Sequence, residues 1–296
     1  MNYKNRKYLF MTLAPTFIYL LLFAIYPLIY ALNLSIYSGG GEAGDNIFVG
    51  LQNYINVVNE ENFLINLKHS LQFCFFVVLL QNIIGMSYAL LLNANIIKNK
   101  YKNILRVIHF LPWLLPDAVV ACVWLAMYLP TGGFINTVLR NLGLYDLSQN
   151  WLGQRNTVLF ALILAESWAW YAFFSISYLA AMQNIPKSLY EASVIDGANK
   201  LQIFYYITLP LLKPIVFTTS IIQFIWLFRY FDLIWIMTRG GPAKASETIA
   251  TQIYKYAFYN YKLGESSALG GIGCIIMLIG VVMYLYYYKK AEKLKE

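Results

Sequence analysis

Six stretches of the chain are apolar over roughly the length that a membrane helix needs, and polar segments separate them. They cover residues 9–36, 70–93, 106–129, 157–182, 212–238 and 267–288. About 20 apolar residues cross the hydrocarbon core of a bilayer. The pattern therefore predicts an all-α polytopic membrane protein with six transmembrane helices, and residues 1–296 form a single transmembrane domain.

Composition excludes an ordinary soluble domain. Hydrophobic residues make up 59% of the 296 residues and charged residues 12%, whereas soluble domains carry about 25% charged residues. The net charge of +8 comes from clusters at the ends of apolar stretches, which indicates membrane topology rather than nucleic-acid binding. Because Cys74, Cys122 and Cys274 all lie in apolar stretches, we expect neither a disulfide nor a cysteine metal site.

The distribution of basic residues predicts the orientation. The basic segment 2–7 precedes an apolar stretch without a small-residue cleavage site, which predicts an uncleaved first span. If the N-terminus is cytoplasmic, basic residues on the inner side outnumber those on the outer side by two to one. We therefore expect a multi-pass plasma or inner membrane protein with both termini in the cytoplasm.

Prolines and glycines predict local features between and within the spans. Pro112 and Pro116 should kink the third span. The first outer loop begins with Gly39, Gly40, Gly41 and Gly44, typical of a mobile connection, and should contain a short surface helix near 52–58.

The most organised polar segment runs from Pro186 to Pro214. Pro186 suits the start of a helix over 187–196, and Gly197 permits a sharp change of direction. A second short segment, 199–207, should run to prolines that mark the beginning of the next span. The segment predicts a helix, a bend and a second helix at a membrane surface.

This segment resembles the EAA motif of the membrane subunits of binding-protein-dependent ABC importers. The resemblance rests on Glu191, Ala192, Ser193, Asp196, Gly197, Ile207, Leu209 and Pro210, with Ser193 in place of the motif's second alanine. It implies a type I ABC importer permease fold, in which residues 186–210 form a cytoplasmic coupling loop that a separate ATPase subunit grips. The alternative is an interfacial helix that only closes a loop.

The fifth span resembles the sugar-permease branch of that family, the maltose and glycerol-phosphate types. The similarity covers the aromatic segment before Asp232 and the turn Thr238-Arg239-Gly240-Gly241-Pro242. Arg229 stands where the branch has asparagine. Since a guanidinium can bind a carboxylate with two hydrogen bonds, this difference favours an acidic sugar. Arg229 and Asp232 could instead pair with each other as i, i+3 residues of one helix.

Candidate substrate contacts lie in the fourth and fifth spans. A carboxylate within the membrane should face the protein interior, and aromatic rings can stack on a sugar or simply pack in a core. The candidates are Glu166, Trp168, Trp170, Tyr171, Trp226, Arg229 and Asp232. Asp117 could titrate within a cavity, or it could have a structural role as the acceptor of hydrogen bonds from a neighbouring helix.

The sequence contains no phosphate-binding loop, nucleophile elbow or metal motif, so we expect no catalytic residue, metal or cofactor in this chain. The resemblance implies that ATP and Mg²⁺ bind partner subunits. The implied partners are two ATPase subunits, a second similar permease chain, an extracytoplasmic binding protein that delivers the sugar, and membrane lipid. The alternatives are an ion-coupled secondary transporter that uses Asp117, Glu166 and Asp232, and a receptor or structural membrane protein.

Overall fold

A computed structural model describes residues 3–39, 47–93 and 99–293, and most of them lie in helices. The helices are α1 (Tyr3–Leu20), α2 (Tyr26–Leu34), α3 (Gln52–Val58), α4 (Phe63–Asn93), α5 (Asn99–Phe110), α6 (Asp117–Met127), α7 (Phe134–Asn141), α8 (Val158–Gln183), α9 (Lys187–Ile195), α10 (Lys200–Ile203), α11 (Leu209–Phe228), α12 (Asp232–Thr238), α13 (Ile249–Phe258) and α14 (Leu263–Lys293). The two short strands β1 (Tyr37–Ser38) and β2 (Ile47–Phe48) pair antiparallel. The predicted all-α class is confirmed.

Five segments are long and apolar enough to cross a membrane. They are Met11–Leu34, Phe63–Asn93, Val158–Gln183, Lys200–Phe228 and Leu263–Val282. They correspond to five of the six predicted spans, although the helices that contain the second and sixth spans begin at Phe63 and Leu263 and are longer than hydropathy indicates. The predicted helix at 52–58 is confirmed as α3. Gly40, Gly41 and Gly44 lie outside the described residues.

The third predicted span is broken rather than continuous. α5 ends at Phe110, a 3-10 turn covers Pro112–Leu114, and α6 begins at Asp117. The prolines remove backbone donors and restrict the residues before them, and Leu115 accordingly adopts an extended conformation with ψ of 135°. The predicted kink is thus confirmed, and it goes as far as an interruption of the helix.

The helix at the beginning of the fifth span passes through its prolines. A π-helical turn over Phe204–Thr208 joins α10 to α11, so helical backbone runs from Lys200 to Phe228. The wider π turn accommodates the missing Pro210 donor, and membrane helices tolerate proline when neighbouring helices pack against them. Pro210 lies in the first turn of α11, so it marks the beginning of the span as predicted, although the helical backbone runs through both prolines.

The described chain divides into two compact units. One comprises 1–64 and 252–276, and the other 65–251 and 277–296. In the first unit, Asn53 donates hydrogen bonds to the carbonyl oxygens of Ser35 and Tyr37, both at 2.8 Å. Glu60 accepts hydrogen bonds from Gln252, at 2.7 Å, and from the Tyr256 hydroxyl. Polar side chains thus fasten the connections between its helices.

In the second unit, α4, α8 and α11 share a dry core. Its fully or almost fully buried members are Ala89, Phe174, Tyr178, Met182 and Leu212. The three cysteines are free, and Cys74 is buried whereas Cys122 and Cys274 are exposed.

Candidate functional site

The coupling loop begins with α9, which closes on a glycine. Gly197 adopts a φ of +80°, a conformation that glycine adopts without steric cost. Its N–H donates to the Val194 carbonyl at 3.1 Å, and the Ala198 N–H donates to the Ser193 carbonyl at 2.9 Å. These two bonds form a Schellman motif, which satisfies the last carbonyls of α9. The predicted helix and bend are confirmed, with Asp196 as the C-cap.

A capping box begins the second half of the coupling loop. The Asn199 side chain accepts from the Gln202 N–H at 2.9 Å, and the Gln202 side chain accepts from the Asn199 N–H at 2.8 Å. This reciprocal pair satisfies two backbone donors at the start of α10. The bend is therefore bounded on both sides by specific capping motifs.

The side chains of Ser193 and Tyr190 stabilise the bend of the coupling loop through hydrogen bonds. The buried Ser193 hydroxyl donates to the Tyr190 carbonyl of its own helix at 2.7 Å. The Tyr190 hydroxyl lies 3.2 Å from the hydroxyl of Thr208, on the second half of the loop. Serine fits where the motif has alanine because it is small and its hydroxyl is satisfied locally.

The outer surface of the coupling loop is exposed and partly apolar. Glu191, Ala192, Asp196 and Gly197 are exposed, whereas Ile207, Leu209 and Pro210 are half-buried. Large apolar side chains are also exposed: Leu189, Val194, Ile195, Leu201, Tyr205 and Tyr206. Exposed apolar groups of this kind occur on surfaces that bind another protein or lie against a membrane.

The α8 candidates point in different directions. Trp168 is half-buried and packs edge-on against the buried Trp124, with ring centroids 6.0 Å apart. Trp170 instead contacts Trp226 of α11, at 5.7 Å, and Trp113 at the break before α6, at 6.5 Å. Trp113 and Trp226 are both exposed and Trp170 is half-buried. The structure thus separates a packing tryptophan from a partly open group of three rings, to which the sequence prediction had not assigned Trp113.

Tyr171 is buried in a second aromatic group. It lies 4.7 Å from the ring of His109 and 5.4 Å from that of Tyr88. His109 is also buried, and neither of its ring nitrogens has a hydrogen-bond partner among the described residues. The sequence shows a lone histidine at the end of a span, a pattern that does not reveal this packing.

Glu166 is buried at the level of the broken helices. Only 1% of it is exposed, and the Tyr230 hydroxyl and the Asp117 carboxyl lie near its carboxyl group. Neither Glu166 Oε2 nor the Tyr230 hydroxyl makes a well-aligned hydrogen bond within the described chain. Gln81 of α4 donates to the Glu166 backbone carbonyl at 3.2 Å. Glu166 therefore faces the protein interior, as expected of a charged group within a membrane span.

Arg229 and Asp232 lie on either side of a helix break. α11 ends at Phe228, Arg229 is its C-cap, and Asp232 is the first residue of α12. The prediction that they share one helix was wrong. No ion pair joins them in the part of the chain that the structure describes, and both are exposed. Both side chains thus remain available beside the exposed ring of Trp226.

A polar turn follows α12. The Thr238 hydroxyl lies 2.8 Å from that of Ser246, and Ser246 donates to the Gly241 carbonyl at 2.6 Å. The Gly241–Pro242 peptide bond is cis. Within the described ranges, no group of three histidine, cysteine, aspartate or glutamate residues is arranged to hold a metal ion.

Residues 81–293 match the family model of the binding-protein-dependent transport system inner membrane component. The chain belongs to this family. The family is one of transport permeases, located in the inner membrane, and its model includes the coupling loop and both aromatic groups.

Individual relatives extend the similarity to nearly the whole chain. It is 33% identical to the trehalose/maltose transport system permease protein MalF of Thermococcus litoralis, over 97% of this chain and 93% of that protein. It is 30% identical to the sn-glycerol-3-phosphate transport system permease protein UgpA of Agrobacterium fabrum, over 98% and 97%. It is also 30% identical to the arabinooligosaccharides transport system permease protein AraP of Bacillus subtilis, over 93% and 86%.

A solved structure has the same fold. A chain of a bacterial ABC transporter involved in the import of the acidic polysaccharide alginate superposes with a TM-score of 0.84 at 23% identity, over 97% of this chain and 96% of that one. The predicted ABC importer permease fold is confirmed.

Proposed function

We propose that the chain is the permease subunit of an ATP-driven ABC importer for a sugar or oligosaccharide. The observation that carries this proposal is the position of the coupling loop. Its exposed bend connects two membrane helices, α8 and the helix over 200–228. A force applied to such a bend moves both helices. The chain provides the path, and separate subunits hydrolyse ATP.

The partly open aromatic group supports a sugar as substrate. Trp113, Trp170 and Trp226 offer ring faces that can stack on the apolar faces of sugar rings. The Asp232 carboxylate can accept hydrogen bonds from sugar hydroxyls. The relatives whose names state a substrate transport trehalose or maltose, arabinooligosaccharides and glycerol-3-phosphate.

Arg229 favours an acidic sugar within that class. Its side chain is exposed, lies one turn after Trp226, and pairs with no carboxylate in the described residues. A guanidinium without an internal partner can bind a ligand carboxylate through two parallel hydrogen bonds. We therefore assign Trp170, Trp226, Arg229 and Asp232 to the substrate path, whereas Trp168 and Tyr171 support it by packing.

The proposed assembly contains a second similar permease chain, two ATPase subunits and an extracytoplasmic solute-binding protein. With both termini in the cytoplasm, the coupling loop faces the ATPase subunits and the loop 130–156 faces the binding protein. The exposed apolar side chains of the coupling loop provide a contact surface of suitable chemistry for an ATPase.

The test is uptake into proteoliposomes that contain the whole transporter and its binding protein. A glycan panel that includes neutral and uronic-acid oligosaccharides identifies the substrate. We expect uptake that requires ATP and the binding protein and is insensitive to protonophores. Uptake that follows a proton gradient without ATP would instead establish the ion-coupled secondary transporter.

A pair of variants of α11 tests the substrate path. Trp226→Ala removes a stacking face worth about 1 kcal/mol, so the half-saturating substrate concentration should rise about fivefold. Phe217→Ala is the matched control, because Phe217 is an exposed ring of the same helix, and uptake should not change. Equal behaviour of the two variants would exclude Trp226 from the path.

A further inference from the structure

Three polar side chains join three membrane helices between the coupling loop and the group of tryptophan rings that contains Trp170 and Trp226. The Tyr178 hydroxyl of α8 donates to Asn82 Oδ1 of α4. Asn82 Nδ2 donates to the Ser220 hydroxyl of α11 at 3.0 Å. Tyr178 is fully buried, and Asn82 and Ser220 are partly buried. We call Asn82, Tyr178 and Ser220 the polar clasp.

Asn82 and Tyr178 are each bonded on more than one side. Asn82 Nδ2 also donates to the Val78 carbonyl of its own helix at 2.8 Å. The Tyr178 hydroxyl lies 3.3 Å from that of Thr219, which in turn donates to the Ile215 carbonyl at 2.9 Å. In a membrane, where no water competes, such interhelical bonds fix the relative position of helices.

The helices also approach closely beside the clasp. A Cβ atom added to Gly85 of α4 would lie 2.6 Å from Phe174 Cβ and 3.0 Å from the Ser175 backbone nitrogen of α8. Only glycine allows these two helices to pack at this distance. The dry core of Phe174, Tyr178, Met182, Ala89 and Leu212 adjoins the clasp.

The clasp lies partway along the route from the coupling loop to the substrate path. Tyr178 is five residues before the end of α8, after which the coupling loop begins. Along helical backbone, Trp170 is about 12 Å beyond Tyr178, and Trp226 is about 9 Å beyond Ser220. The same helices that carry the loop at one end thus carry the paired Trp170 and Trp226 rings further along.

We propose that Asn82, Tyr178 and Ser220 are positioning residues for transport, because they make α4, α8 and α11 move as one body when the coupling loop is displaced. This inference rests on the proposed function. Without the clasp, α8 and α11 could respond separately to the loop, and the Trp170–Trp226 pair would not follow it. ATP hydrolysis would then continue with less substrate moved per ATP.

The test measures ATP hydrolysis and uptake in the same proteoliposomes of the whole transporter. Tyr178→Phe removes one oxygen atom, and Asn82→Leu removes the amide at similar volume. Each should lower the uptake per ATP by about threefold, the factor that a typical interhelical hydrogen bond in a membrane contributes. The double variant should be no worse than the worse single variant, because both remove the same bond.

Ser177→Ala is the matched control. Among the described residues its hydroxyl bonds only to the Phe173 carbonyl of its own helix, at 2.8 Å, and it lies next to Tyr178. Its uptake per ATP should equal that of the wild type. Should the Asn82→Leu transporter fail to assemble, Tyr178→Phe alone decides.

An unchanged uptake per ATP in Tyr178→Phe would overturn the clasp proposal, whether both rates keep their wild-type values or both fall in parallel. A parallel fall would indicate a merely structural role. Failure of the proposed function is distinguishable, because the wild-type transporter would then show no ATP-dependent uptake of any sugar.

Discussion

Two loops of this protein end a short helix in the same way. α7 closes on Gly143 and α9 closes on Gly197, with φ of +79° and +80°. In the first, the Leu144 N–H bonds to the Leu139 carbonyl at 2.8 Å, which matches the bond that closes α9. Both are Schellman motifs. The backbone geometry alone therefore does not distinguish the loop that we propose to transmit movement from the loop 130–156.

The difference lies in what holds each loop in place. Buried Asn136 exchanges hydrogen bonds with the backbone of Gln149, at 2.9 and 3.2 Å, and accepts one from the Trp151 indole at 2.9 Å. The loop 130–156 is thus tied to itself by a side chain. The coupling loop is instead held by the Schellman motif at Gly197, by the capping box of Asn199 and Gln202, and by the pair of Tyr190 with Thr208. An element that transmits movement must be joined rigidly to helices at its ends. The loop 130–156 is instead fixed by hydrogen bonds within the loop itself.

The largest expected effect is on the stability of the loop 130–156. Asn136→Ala removes these hydrogen bonds and leaves the Trp151 indole and the Gln149 backbone without their partners, which should cost about 3 kcal/mol of stability. Limited proteolysis should then cut this loop faster, while the coupling loop keeps its wild-type resistance. Asn141→Ala, an exposed residue of the same helix, is the control. Equal proteolysis of Asn136→Ala and the wild type would contradict the stabilising role of Asn136 in this loop.

The next effect concerns binding of the ATPase subunits. Ile195 on the coupling loop is 85% exposed, and Leu142 on the loop 130–156 is 68% exposed. If Ile195 is buried by the ATPase, Ile195→Asp should weaken the association by about 2 kcal/mol, or about 30-fold. Co-purification of ATPase subunits measures it. Leu142→Asp should leave co-purification intact, and the same loss in both variants would show that the coupling loop is not the contact.

The sequence predicts most of this comparison but not all of it. Hydropathy locates five long helices, and proline and glycine locate the breaks at Pro112 and Gly197, because these residues act on the backbone directly. The break after Phe228 has no such signal, since neither proline nor glycine lies between Phe228 and Asp232. The clasp of Asn82, Tyr178 and Ser220 was also missed, because neutral polar residues in an apolar run look like ordinary span residues until their partners are known.

The smallest effect separates the two glycines. Gly197 and Gly143 both have a positive φ, and a Cβ on either would meet open space. Gly197→Val and Gly143→Val should therefore cost the same backbone strain, about 1–2 kcal/mol each. Because their backbone geometries match, any difference between them in ATP-dependent uptake reflects the function of the loop.

Strain at Gly197 should turn α9 away from its position at the start of α10, so uptake should fall by about tenfold, the change that 1.4 kcal/mol produces. Strain at Gly143 is localised to the loop 130–156 and should not alter the amount of ATPase that co-purifies. Thermal unfolding of both variants checks that the strain is equal. If the two variants are equally stable and lose ATPase binding equally, the coupling loop and the loop 130–156 do not differ in function. The coupling loop would then not be the contact through which ATP hydrolysis moves α8 and α11.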